Sequence, residues 1–363
     1  MSNISDGVSI HANGTITFPF NGQPYLFIPT NGLTGVNRGN HTAYGNITIF
    51  ANSNLLCNTS ICDLSLAQIG YRPSLGGNAF FAAVFAIYLV AQLFLGIRYK
   101  TWGFMTAVML GLCGEIAGYV GRILLWHNIF DPTGNYFLAY LVSLTIAPAF
   151  LAAGIYLCLS RIVVVYGQHI SRFRPGTYTL IFCGCDLFSL VLQGLGGGIA
   201  ASANKQTQID VGVDIMLAGL GFQVFSIAVF ALLCTDFAWR LYKNRNTWSD
   251  QHAALQESRL FRAFLIGLCV ATFCIFIRSI FRVAELSGGF HGSLANDQVT
   301  FMILEGAMIV IATSCQTFLH PGIAFAGVWD EVNFSFRGKK GVEGGKTDGV
   351  DTPSFVELSQ RSN

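Results

Sequence analysis

Seven stretches of this sequence are apolar over the roughly 20 residues that a helix needs to cross the hydrocarbon core of a bilayer. They cover 76–97, 102–125, 136–160, 177–200, 213–235, 260–285 and 299–323. A chain in lipid has to satisfy its own backbone hydrogen bonds, so runs of this length must be helical. The expected fold is therefore an all-α membrane protein, a seven-transmembrane-helix bundle over 76–326, flanked by an amino-terminal segment 1–75 and a tail 327–363. Charge supports this class: 11% of residues are Asp, Glu, Lys or Arg, where a soluble domain has about 25%. A net charge of +2 leaves no positive surplus for a phosphate backbone, which excludes nucleic acid as a partner.

Loops rich in Lys and Arg stay in the cytosol. Of the 21 basic residues, 15 lie after the first, third and fifth runs, at the start of the sixth (Arg262) or in the tail, among them Arg98, Lys100, Arg161, Arg172, Arg174, Arg240 and Lys243. The other side has Arg38, Arg72 and Lys205. This distribution puts the N-terminus outside and the C-terminus in the cytosol. The amino-terminal segment says the same independently, since it holds five Asn-x-Ser/Thr sequons, at Asn3, Asn13, Asn40, Asn46 and Asn58, usable only if translocated. Cys57 and Cys62 in that segment are close enough in sequence for a small disulfide, with two free thiols as the alternative. No basic stretch followed by an apolar run opens the chain, so a cleaved signal peptide is not expected. The carboxy-terminal 33 residues are polar and Gly-rich and read as a disordered cytosolic tail open to phosphorylation.

Seven charges sit where the bilayer should exclude them: Glu115, Arg122, Asp186, Arg278, Arg282, Glu285 and Glu305. Each costs on the order of 2.5–3.5 kcal/mol at a helix centre on insertion scales, so they must face one another or water. Glu115, Tyr119 and Arg122 fall at i, i+4 and i+7 on one helix face. Asp186 and Gln193 are seven apart on the fourth helix, Gln223 lies in the fifth, and Glu305 shares a face with Gln316 on the seventh. Their depths coincide, predicting a polar cavity between helices 2, 4, 6 and 7 from the midplane outward. The candidate substrate pocket is Glu115, Tyr119, Arg122, Asp186, Gln193, Gln223, Arg278, Arg282 and Glu305. Interhelical salt bridges without a ligand are the competing reading, and Arg282 with Glu285 at i, i+3 is assigned to it.

Gly114 and Gly118 form a GxxxG, and Gln193 is followed by a glycine-rich run. Neither precedes a Lys-Ser/Thr, so both are read as close helix packing or a hinge, with no nucleotide site. Pro148 should kink the third helix. Cys183 and Cys185 are too isolated for zinc, and His320 before Pro321 suits a helix terminus, so no metal, cofactor or catalytic residue is expected. An intramembrane hydrolase needs His at membrane depth. The sequence offers only His320 near a helix, so an enzyme is not expected. Heptahelical receptors share the topology, but Ser160-Arg161 lacks their preceding acidic residue, and His320-Pro321-Gly322 replaces their Asn-Pro-x-x-Tyr.

The ordered set Gly70-Tyr71-x-Pro73-Ser74 with Asn78, Glu115 with Gly118-Tyr119 and Arg122, Ala147-Pro148-Ala149-Phe150 with Tyr156 and Arg161, and Asp186 with Gln193 resembles the fungal lipid-translocating exporter (RTA-like) family. It continues through Gly219-Leu220 with Gln223, Arg278 with Arg282 and Glu285, Glu305, and His320-Pro321-Gly322, so that it covers about 70–327. The resemblance implies a multi-pass plasma-membrane exporter of sphingoid long-chain bases or similar amphiphiles, giving resistance to toxic lipids or sterol-like compounds. Its implied partners are membrane lipids. A seven-helix receptor or lipid sensor signalling through the cytosolic loops is the alternative.

Overall fold

Each apolar run becomes a helix, and most helices extend beyond it because polar residues at the ends can continue a helix into water. The computed structural model describes residues 69, 71–129, 135–167, 170–202, 206–244, 253–288, 294, 296–325 and 329, with the backbone of short strands before residue 50. The spanning helices are α1 (Leu75–Arg98), α2 (Trp102–His127), α3 (Asn135–Tyr166), α4 (Pro175–Ser202), α5 (Gln206–Lys243) and, after the short α6 (Ala253–Glu257), α7 (Arg259–Ser287). The seventh span is composite: α8 (Gln298–Phe301), a π-helical turn Met302–Ala307, α9 (Met308–Phe318) and α10 (Pro321–Ala324). Among the described residues, seven helices are thus long and apolar enough to cross a membrane. In the amino-terminal segment, β1 (Ser9–Ile10), β2 (Ile16–Phe20) and β3 (Gln23–Leu26) pair antiparallel, and β4 (Thr42–Tyr44) pairs with β5 (Ile47–Ile49) with Thr42 opposite Ile49. The asparagines of the five sequons, Cys57, Cys62 and the tail beyond 330 lie outside the described residues.

The helix α3 is central. Two thirds of its apolar window (67%) is buried against 22% for α1, and it packs on α2, α4 and α7. The others close around it, α1 against α2 and α9, α4 against α5, and α7 against α5 and α9. Glycines set the closest approaches. A Cβ on Gly118 would stand 2.4 Å from the Leu144 side chain of α3, and one on Gly196 would stand 2.5 Å from the Gly212 carbonyl oxygen of α5. The backbone at Gly212 cannot swing aside like a side chain. Gly196→Ala should therefore destabilise the purified protein by about 1–3 kcal/mol, read as a lowered thermal midpoint; an unchanged midpoint would contradict this packing.

Two helices differ from expectation. The third run was expected to close at Ser160-Arg161, but α3 continues to Tyr166 and buries Arg161, whose guanidinium lies 3.7 Å over the Trp329 ring. Trp329 supplies that ring, giving a cation a partner where a loop was expected. The fifth helix is longer than its run at both ends, and it carries Asp214, an exposed charge within 213–235 additional to the seven.

One end of the bundle collects the basic residues. There Tyr99 and Phe104 pack against His320, whose Nδ1 accepts the Gly322 N–H at 3.1 Å to cap α10, as suits a helix terminus. At the other end Arg72 donates to the Trp126 carbonyl at 3.1 Å, and Asp297 caps α8 by accepting from Val299 N–H at 3.1 Å and Thr300 Oγ1 at 2.5 Å. These bonds hold the Asp297 carboxyl below its ordinary range. That cap is intact above the usual carboxylate range and weakens only as pH falls through the lowered one.

Candidate functional site

Pro148 has no N–H, so the carbonyl four residues earlier loses its helical partner. That carbonyl belongs to Leu144, and Arg278 of α7 donates Nη2 to it. The same Nη2 contacts Glu305 Oε1 at 2.6 Å, both side chains being buried. Glu305 lies in the π-helical turn, a wider turn that changes where its side chain points and recurs at functional sites. One helix irregularity thus supplies an acceptor to Arg278, and a second supplies the anion.

The other charges surround this pair. Arg282 donates to Glu285 at 2.5 Å and to Thr145 Oγ1 at 3.2 Å, the i, i+3 bridge expected from sequence. Arg122 donates Nε to Asn78 Oδ1 at 3.0 Å and Nη2 to the Tyr71 hydroxyl at 2.7 Å, with its guanidinium 3.8 Å from the Phe301 ring centre. Among the described residues no carboxylate lies within ion-pair distance of Arg122; neutral acceptors and aromatic faces hold it. Glu115 is its counterpart. Its carboxyl is fully buried, within electrostatic reach of Arg278, Arg282 and Glu305, yet neither oxygen has a hydrogen-bond partner among the described residues. The Tyr119 hydroxyl, on the same stripe of α2, is likewise without one, and its ring stacks on Phe81 and Phe85.

Three guanidinium groups and three carboxyl groups therefore form one layer. It joins α2, α3, α7 and the π-helical turn, with Asn78 of α1. At the end away from the basic loops it reaches a narrow cleft lined by Thr145, Arg282 and Glu285 together with Phe137 and Met216.

The structure brings together Glu115, Tyr119, Arg122, Arg278, Arg282 and Glu305, but it places Asp186, Gln193 and Gln223 on the other flank of α3. There Asp186 Oδ2 accepts from the Tyr156 hydroxyl at 3.0 Å, and Gln193 donates to Gln223 Oε1 at 3.1 Å. Periodicity identified the polar face of each helix correctly without identifying the neighbour it meets. The fourth helix turns its face to α3 and α5, and α3 separates it from α2. Gln316 donates to the Leu151 carbonyl of α3 at 3.2 Å, on the same stripe of α3 as the Leu144 carbonyl that the Arg278–Glu305 pair meets.

Asn78, Tyr71, Thr145 and Phe301 were absent from the expected pocket. Asn78 had a readable signal, as one of two amides, with Gln92, in the first apolar run. Thr145 lies three residues before Pro148, in the turn where the helix ladder is broken. Among the described residues no group of three His, Cys, Asp or Glu side chains is placed to hold a metal ion.

The model of the RTA1-like protein family matches residues 108–328. The sphingoid long-chain base transporter RSB1 of Saccharomyces cerevisiae is 32% identical over 286 residues, covering 71% of this chain and 74% of that protein. Protein RTA1 of the same yeast is 24% identical over 259 residues, 65% of this chain and 79% of its own length. Its protoporphyrin uptake protein 1 is 27% identical over 226 residues, 61% and 69%. No solved structure matches the chain.

Proposed function

The chain belongs to the RTA1-like family, and from that premise we propose that it moves single-chain cationic amphiphiles, sphingoid long-chain bases above all, across the plasma membrane. The observation that carries this reading is Glu115, a fully buried carboxyl with no hydrogen-bond partner for either oxygen among the described residues. A buried carboxylate of this kind is costly. The amine of a long-chain base supplies both the charge and the N–H donors it lacks. In support, the name of the yeast transporter specifies that substrate class.

In this reading Glu115 takes the ammonium head and Tyr119 a hydroxyl. The bridges of Arg278 with Glu305 and Arg282 with Glu285 hold the layer neutral while the site is empty, and Arg122 fixes the entrance at the outer ends of α1 and α2. On the other flank of α3, Asp186 with Gln193 and Gln223 forms a second polar station. The acyl chain stays in lipid. Orientation follows the charge distribution, with the amino-terminal segment outside, glycosylated and holding the Cys57–Cys62 disulfide, and the tail in the cytosol. Moving toxic amphiphiles outward gives the cell resistance to them.

The role of Glu115 predicts charge discrimination. Purified protein should bind dihydrosphingosine more tightly than its N-acetyl derivative, which keeps the chain and hydroxyls but loses the positive charge, by about tenfold or more. Equal affinity, measured by titration in detergent micelles, would overturn the assignment of the ammonium to Glu115.

A further inference from the structure

A second lipid site lies on the lipid-facing side of α4 and α5, away from the charged layer. The two helices leave an apolar groove there. Phe173, Ile181 and Cys185 line it from the α4 side, and Phe222, Phe225 and Leu233 from α5. Its length follows from helix rise: 11 residues from Phe222 to Leu233 at 1.5 Å each give about 16 Å. That matches the hydrocarbon depth of one leaflet, half of about 30 Å.

The groove ends in charge at the level where a lipid head would lie. Arg172 immediately precedes Phe173, and Asp236 is three residues beyond Leu233. Arg172 Nε and Arg240 Nε both contact Asp236 Oδ2, at 2.9 Å each, and Arg172 Nη2 contacts Oδ1 at 3.0 Å. Two guanidinium groups share one carboxylate, so the cluster keeps an excess positive charge. All three side chains are accessible, at 53%, 31% and 39% for Arg172, Asp236 and Arg240.

We propose that this groove and the Arg172–Asp236–Arg240 cluster bind an anionic glycerophospholipid from the leaflet at the basic end of the bundle, one acyl chain in the groove and the headgroup on the two arginines. Charge complementarity selects this occupant. A cationic long-chain base is repelled by the excess positive charge and a zwitterionic lipid gains little from it, whereas an anionic headgroup is attracted. The site is independent of the transport reading.

The test is native mass spectrometry of the purified full-length chain with phosphatidylserine or phosphatidylcholine carrying the same acyl chains. The wild type should retain phosphatidylserine about fivefold better. R172Q/R240Q, which leaves the cluster negative, should remove that preference, while D236N, which makes it more positive, should increase it. V229W, filling the groove, should weaken retention of both lipids. The opposite signs for the arginine and aspartate variants separate charge recognition from a folding defect. Equal retention of the two lipids by the wild type, or a preference that survives R172Q/R240Q, would overturn the proposal.

Discussion

Glu115→Gln should abolish movement of long-chain bases while leaving the fold intact. The carboxyl accepts no hydrogen bond from a described residue, so the amide removes no bond from the empty protein. It also relieves the cost of a buried charge. Its thermal midpoint should equal or exceed the wild type's. Affinity for the ammonium should fall by a margin typical of losing one partner of a desolvated charge pair, about 2–5 kcal/mol, or at least roughly 30-fold. The divergence of the two readouts is what matters, since a structural residue would lower both. Asp186→Asn should be milder, because an amide oxygen can still accept the Tyr156 hydroxyl bond.

The opposite pattern is expected at Arg278. Removing this side chain leaves Glu305 a buried carboxylate without its ion-pair partner and strips the Leu144 carbonyl of the donor that replaces the missing Pro148 N–H. Breaking one partner of a buried pair costs about 3–5 kcal/mol, a large share of a typical folding free energy of about 5–15 kcal/mol. Arg278→Ala should therefore run as aggregate on size exclusion, or melt far below the wild type. Adding Glu305→Gln should recover much of the folded fraction, since the stranded charge is gone. If Arg278→Ala alone folds like the wild type, the pair does not hold the layer together.

Much of this architecture was legible in composition and period. Every apolar run became a spanning helix, because a 20-residue apolar stretch in lipid has no other way to satisfy its backbone. The stripe of Glu115, Tyr119 and Arg122 was readable for the same kind of reason, as helical spacing puts these residues on one face wherever the helix sits. Neighbour relations were not encoded that way. Nothing local to Asp186 says that α3 stands between it and Glu115; that follows from how seven helices close around a central one. The π-helical turn at Glu305 was invisible because widening by one residue leaves no mark in an apolar pattern, yet it carries the carboxylate that pairs with Arg278. Pro148 was read as a kink, and its larger consequence lay elsewhere. The carbonyl it leaves unpaired anchors an arginine from another helix.

If buried Glu115 carries a cationic head through the bilayer, transfer of that head between leaflets depends on its carboxylate. Purified wild-type and Glu115→Gln proteins are each reconstituted into liposomes with a fluorescent long-chain base in the inner leaflet, and its arrival in the outer leaflet is followed by an added membrane-impermeant quencher. Rapid transfer is expected with the wild type, and transfer at the rate of protein-free liposomes with the variant. Transfer at the same rate by both proteins, or none above the protein-free rate by the wild type, would contradict it.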